Sequence, residues 1–468
     1  MDKILLCLMV SAAALARTCV VTPAVDFRDS LASLDGGDTL FLSSGTYTAA
    51  DTLPLLHVEP DQAGLTITTV PEAPAVLDGE GFQRPVVLLE GEAALPTRLE
   101  LVEITGGSAS SGQWFAGGGV FMSEAGAIIF GCTFQGNQAV VGGAIAAEAG
   151  SVEIQRCMFQ NNSAESTGGA INLYACDGLL LDCRIRNNSC TDDGGGINSY
   201  QSDLEIRNLL LAGNQAGDDG GGMMLLQGTH TIEYVTVDAN QCVDDGAGML
   251  LSYLDQATLS SCVVTSNTGK YGIAGKGSPD VDFHSCCVWD NGIGNYIGWE
   301  DPTGTQGNIS ADPLYADTLY HLSQTAAGQP QQSPCVDAGH QAVIGSWIQG
   351  YSTRTDSIPD SLVADMGYHH PDSLQVGSGG GPEPPGSLAL FPSPCSDWLC
   401  IQAPAPSPNV SVAVFDAAGR RVWQREGVST EGWWSGVWTP RDDMAPGLVL
   451  VRFRSGDTVL TGKAVLLP

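Results

Sequence analysis

Apolar residues recur at fixed distances ahead of a series of asparagines in the middle of the chain. The asparagines are Asn137, Asn162, Asn188, Asn214, Asn240, Asn267 and Asn291, separated by 25, 26, 26, 26, 27 and 24 residues. Three positions before each stands Phe134, Phe159, Ile185, Leu211, Val237, Val264 or Val288, and eight before stands Ile129, Ile154, Leu180, Ile206, Ile232, Leu259 or Phe283. Five before come Cys132, Cys157, Cys183, Leu209, Val235, Cys262 and Cys286. The step from five to three is the two-residue period of a strand, and the apolar runs are too short and too bounded by glycine for helices. A period near 25 residues without helical stretches excludes a helical solenoid, and no Trp-Asp signature marks propeller blades. The pattern predicts an all-β chain wound as a parallel β-helix. Each repeat is one coil, and equivalent residues stack in columns about 4.8 Å apart.

Two columns follow from turn chemistry. Asparagine tolerates left-handed backbone angles, and its amide can bond to the asparagine or backbone of the next coil, so the Asn column is expected to be a structural ladder. Glycines at 142–143, 168–169, 194–196 and 220–222 let the chain bend before each strand where a Cβ would clash.

Between these features one phrase is rewritten three times: "NSCTDDGGG" from Asn188, "NQAGDDGGG" from Asn214 and "NQCVDDGAG" from Asn240. Stacking the coils brings Asp192, Asp193, Asp218, Asp219, Asp244 and Asp245 into one acidic patch, flanked by Ser166 and Thr167 before it and by Tyr271 and Gly272 after it. Three readings stay open. Aspartate before glycine is a good turn former and a solvated anti-aggregation surface. Like charges so close raise each other's pKa unless a cation intervenes, so the six carboxylates are a candidate site for a hard ion, calcium through oxygen ligands. Carboxylates one or two coils apart also match the separations used by retaining and inverting glycosidases. No catalytic set is assigned and no organic cofactor is expected. Arg184, Arg186 and Arg207 lie on the preceding strands, where Arg184 and Arg186 alternate out of step with inward residues and are expected to face solvent and pair with Asp182 or Asp203. Tyr174 and Tyr200 share a column, and Trp289 and Trp299 follow; exposed aromatics on such a face can stack on sugar rings, and turn or cap packing is the alternative.

Composition narrows the partners. Lys and Arg number 19 against 52 Asp and Glu, a formal charge of -33, which argues against nucleic acid and anionic membranes and leaves cations and neutral polymers. The first residues, with Lys3 before an apolar run ending at Ala14 and Ala16, read as a secretory signal cleaved after Ala16, and no later apolar run is long enough to span a bilayer. Of fourteen cysteines, those in the coil columns are expected to be buried thiols, because stacking at about 4.8 Å exceeds the roughly 3.8 Å between bridged Cβ atoms. Cys190 and Cys242 share a column with Ala139, Ala164 and Ala216, and Cys395 with Cys400 is the better candidate for a bridge.

The string "GGAIAAEAGSVEIQRCMFQNNSA" resembles the right-handed β-helix repeats of pectin-lyase-like proteins, especially those of polymorphic outer-membrane proteins. "FRDSLASLDGGDTLFLSSGTYT" is similar to the capping helix and first coil of that family, and "SADPLYAD", "SPCVDAG" and "ADMGYHH" to the closing segment of such domains in secreted bacterial proteins. Composition breaks at the Gly/Pro-rich "VGSGGGPEPPG", after which short alternating strands resemble the C-terminal sorting domains of type IX secretion, with "FPSP" in place of the usual Pro-Asn-Pro. A carbohydrate-binding β-sandwich is the rival reading of this last part. The expected organisation is a signal peptide at 1–16, a capped right-handed parallel β-helix at 17–315, its closing segment at 316–375, a linker at 376–386 and a small antiparallel β-sandwich at 387–468. The resemblance implies an exported protein, secreted or on the cell surface, handled by the type IX machinery and engaging extracellular polysaccharide or another cell-surface ligand as a binder or adhesin. The same coils serve polysaccharide lyases, glycoside hydrolases and inert stalks, so those classes remain alternatives.

Overall fold

The computed structural model describes residues 17–371 except 24–26, 50, 52, 71–73, 92–95, 111–115, 344–345, 349 and 361–362. Beyond 388 it describes 389–391, 399–404, 409–416, 420–428, 433–438, 447–456 and 458–466. The expected signal peptide, the 376–386 linker and Cys395 lie outside the described residues.

The repeat folds as its period requires. In one coil the chain runs through strands Ser151–Gln155, Met158–Gln160, Ser163–Ala164 and Ile171–Tyr174, then enters the next coil at Asp177–Leu181. Every strand pairs in parallel with its counterpart one coil away. This builds a first sheet of 11 strands, second and third sheets of 10 each, and a short sheet of 4 strands after the asparagine turn. The sequence columns are true registers: Ile129 pairs with Ile154, Ile154 with Leu180, Phe134 with Phe159 and Phe159 with Ile185. Their side chains are fully buried inside the coil, and the Phe134 and Phe159 rings stack with centroids 4.8 Å apart. Each such aliphatic or aromatic side chain contributes about 1.5–3 kcal/mol by leaving water, and the column repeats this gain coil after coil. A short helix, Phe27–Ala32, buries Phe27 and Leu31 against the first coils.

The asparagine column is a continuous amide ladder. The Oδ1 of Asn214 accepts both the backbone N–H and the Nδ2–H of Asn188, each at 3.0 Å. Asn214 in turn donates the same pair of bonds to Asn240 at 2.9 Å and bonds through Nδ2 to the Ile185 carbonyl. The pattern runs unbroken from Asn137 to Asn291, and all seven side chains are buried. The left-handed angle expected of these asparagines falls one residue earlier, on Gly136, Asn161, Asn187, Gly213, Ala239, Ser266 and Asp290. The chain reverses just before the ladder so that the amide can enter the interior.

The coil cysteines are buried thiols, as their spacing predicts. Cys132, Cys157, Cys183, Cys262 and Cys286 each donate to a carbonyl of the preceding coil, Cys157 for example to Ile129 at 3.4 Å.

The closing segment lies on the outer face of the second sheet. Tyr351 donates to Asp182, Tyr320 to Asp238, and Asn208 to the His369 carbonyl, at 2.7, 3.0 and 2.7 Å. This placement corrects the expectation for the arginines. Arg184 bonds the Tyr368 hydroxyl and sits over its ring, while Arg186 sits over Tyr320 and donates to the Thr318 carbonyl. Asp182 is held by Arg156 instead, and Arg207 pairs with Glu205 and Glu233. A segment far away in sequence covers the face that strand alternation had left open to solvent.

Residues 378–468 form a separate compact unit. It contains an antiparallel three-stranded sheet of Ala389–Phe391, Leu399–Pro404 and Trp433–Trp438, and a four-stranded one of Arg421–Val428, Asn409–Phe415, Gly447–Ser455 and Thr458–Leu466. Alternate residues Val410, Val412 and Val414, and Val449, Val451 and Phe453, are buried.

Asn214→Ala removes the acceptor for two buried donors and the donor for two buried acceptors. A loss of about 4 kcal/mol or more is expected, since four buried groups lose a partner and each orphaned one costs roughly 1–3 kcal/mol. Urea unfolding followed by circular dichroism checks this; an unchanged midpoint would show that the ladder does not hold the coils together.

Candidate functional site

The three aspartate phrases occupy the turn that leads into the third sheet. In the first, the turn passes from Ser189–Cys190 through Asp192 and Asp193 to the strand Ile197–Tyr200. Gly194 takes φ +72°, and a Cβ there would lie 2.8 Å from the Cβ of Asn198, so the turn folds back over the outward side chains of its own strand. Buried thiols fix it from beneath: Cys190 donates to the Asp193 carbonyl and Cys242 to the Asp244 carbonyl, at 3.2 and 3.3 Å. These cysteines share an apolar cluster with Ala164 and Ala216 of the small-residue column the sequence indicates, joined by Ala247 from the following turn.

The six aspartates form two rows. In the inner row, Asp193 accepts the backbone N–H of Asp219 and Asp219 that of Asp245, at 3.1 and 2.8 Å, so one carboxylate oxygen of each is committed to the next coil. Asp192 and Asp218 of the outer row are exposed. Carboxylate oxygens of Asp192, Asp193 and Asp218 lie within 4.8 Å of one another, as do those of Asp218, Asp219 and Asp244. Asp245 belongs to neither trio. All donors are oxygens, the set a hard cation takes, so either trio could hold such an ion.

The two ends of the row differ in charge balance. Burial pushes the Asp193 carboxyl up to about 6; the Asp219 N–H opposes the rise, and the charges of Asp192, Asp219 and Asp218 add to it. At the other end Lys276 Nζ lies 2.6 Å from Asp219 Oδ2 and 3.8 Å from Asp245 Oδ2, and Lys270 pairs with Asp244. Burial lowers the Lys276 pKa, but the hydrogen bond to Asp219 and the surrounding aspartate charges outweigh it and leave the pKa raised.

These lysines are absent from the sequence reading, which placed Tyr271 and Gly272 beside the patch. The coil after Asn267 has a shorter turn, so Lys270 donates its backbone N–H to the Asp244 carbonyl while Tyr271 already accepts that of Ala247. The 24-residue spacing between Asn267 and Asn291 was the available signal, together with composition: the chain has four lysines, Lys3, Lys270, Lys276 and Lys463, and two meet this row.

Beside the turns the outer face of the third sheet carries Asn172 and Asn198, joined amide to amide at 2.8 Å, with Thr167 donating to the Asn172 oxygen. Two residues further along the same strands, Tyr174 and Tyr200 stand in register with ring centroids 5.5 Å apart, and Tyr174 is 46% exposed. Trp299 is no part of this surface: it packs on Phe283 and covers Gly275. The outer face therefore joins carboxylates, amides and a tyrosine pair within successive coils.

A family model described as a right handed beta helix region matches residues 118–306, and over this stretch the chain is a right-handed parallel β-helix. A solved structure, that of pectate lyase Pel9A, is similar at 13% identity, covering 77% of this chain and 97% of that one with a TM-score of 0.48. No curated protein matches the chain.

A carboxyl whose pKa is raised in the fold costs nothing while protonated in both states, and costs progressively more as the pH rises from about 4 through 6. Asp193→Asn removes that cost and keeps an oxygen for the Asp219 N–H. In chelator, the melting temperature of the variant is expected to match the parent closely near pH 4 and to exceed it by a few degrees at pH 8. Equal values at pH 8 would mean that the charge at Asp193 is not strained.

Proposed function

We propose that this is an exported β-helix protein, secreted or displayed on a cell surface, that binds an extracellular carbohydrate polymer along the outer face of its third sheet. The tyrosine pair Tyr174 and Tyr200 carries the reading. One coil apart, tilted to each other and partly exposed, the rings offer apolar faces with polar edges, and Asn198 and the aspartates supply hydrogen-bonding groups beside them. The strongly negative charge fits a neutral polymer, or one approached through a cation.

Calcium is the cation this reading assigns, held by Asp192, Asp193 and Asp218. The other trio already has lysine partners at Asp219 and Asp244. Bound calcium supplies positive charge and open coordination positions for oxygen ligands. Adhesion to a cell-surface glycan is the same chemistry in another setting. Lyase action is the weaker reading, because the lysine nearest the carboxylates is ion-paired, with a pKa shifted away from that of a neutral base; hydrolase action would rest on the carboxylates themselves and is the alternative.

Calorimetric titration with xylan, polygalacturonate and alginate, in calcium and in chelator, tests the proposal. The parent is expected to bind at least one polymer, and Tyr174→Ala with Tyr200→Ala to weaken that binding about tenfold, about 1.4 kcal/mol. Absence of binding to every polymer would leave the structural stalk.

Export belongs to the same proposal, with the C-terminal unit as its type IX sorting domain. The "GKAVL" segment containing Lys463 lies in the last strand of its four-stranded sheet. Removal of residues 387–468 is expected to leave a folded β-helix retained in the periplasm; normal display of the shortened chain would refute the sorting role.

A further inference from the structure

Cys286 and Cys287 are neighbours in sequence with opposite surroundings. Cys286 belongs to the inner thiol column and donates to the Leu259 carbonyl at 3.4 Å. Alternation along the strand turns Cys287 to the outer face of the second sheet, where the closing segment covers it and its thiol donates to the Ala311 carbonyl at 3.1 Å. The closing segment brings Cys335 to the same place. Both are fully buried in one cluster with Val263, Leu322 and Met366, where the neighbouring Cys335 holds the Cys287 thiol below its ordinary pKa and Cys287 pushes that of Cys335 up.

This pair is unlike the column thiols. Those sit on successive coils, each tied to a carbonyl, and a bridge between them would have to draw neighbouring strands closer than their pairing allows. Cys287 and Cys335 come from segments that are not strand-paired, 48 residues apart in sequence. The Cys335 loop is anchored on both sides: its N–H donates to the Ser333 hydroxyl and its carbonyl accepts the Met366 N–H at 2.9 Å.

We infer that Cys287 and Cys335 are a disulfide-forming pair that covalently fastens the closing segment to the last coils. Each thiol gives up its proton, one S–S bond forms, and the two electrons reduce a disulfide oxidant to two thiols. The bond closes a long loop across the end of the solenoid, where the segment otherwise depends on side-chain hydrogen bonds and apolar packing.

The full chain, folded in the presence of oxidised glutathione, is denatured, alkylated, digested without reductant and analysed by mass spectrometry. A peptide pair joined through Cys287 and Cys335 is expected, two hydrogens lighter than its reduced halves, with the column thiols alkylated. The oxidised protein should melt roughly 5 °C above the reduced one. Cys286→Ser should retain the cross-link, whereas Cys335→Ser should abolish it and leave Cys287 open to alkylation. Alkylation of both Cys287 and Cys335 in the oxidised parent overturns the inference, as does a glutathione adduct on either or a bridge from Cys287 to another cysteine. The peptide map of the parent decides the matter even where a variant folds poorly. Because the oxidant is supplied, the result does not depend on the export reading.

Discussion

Coil after coil of this protein is held to the next by parallel pairing at strand spacing, and from Asn137 to Asn291 the asparagine turn repeats as faithfully as the strands. The asparagine ladder enforces the match. Each asparagine receives two hydrogen bonds from one coil and, through its backbone N–H and Nδ2, gives two to the next, so an asparagine out of register would leave several buried polar groups unpaired. The constraint passes outward: with the turn fixed in register, whatever stands a few residues further on is fixed too. The aspartate rows and the tyrosine pair, a few residues further along each coil, inherit their geometry from the ladder.

This explains which parts of the molecule were legible in the sequence. Repetition exposes the interior columns because the same residue type must satisfy the same environment in each coil, and Ile129 with Ile154 or Phe134 with Phe159 pair as their offsets require. The aspartate rows were legible for the same reason. Contacts made by non-repeating chain were not. Arg184 faces outward by alternation, yet it meets Tyr368, 184 residues away. Lys270 was hidden by a local change of turn length that shifted the alignment at the edge of the row. The left-handed angle was misplaced by one residue because Asn tolerates it, and the chain needed the amide buried more than it needed that tolerance.

The acidic row is also less uniform than six repeated carboxylates imply. Along the inner row the backbone of the next coil donates to Asp193 and Asp219, and at the far end Lys276 meets the inner row at Asp219 while Lys270 meets the outer row at Asp244. Charge compensation is therefore graded along the solenoid axis. It is least complete at Asp193, where burial and like charges act on one carboxyl. Sequence repetition alone implies a symmetric patch, and the break in repetition gives it a direction.

The shortened turn at Lys270 has a meaning beyond electrostatics. A solenoid grows by adding coils, and any surface written into the repeat would grow with it. Trimming one turn, without disturbing the strands on either side, puts a full stop on the outer face while the inner architecture continues. The extent of the surface and the length of the rod thus become separate quantities, each open to change without rewriting the other.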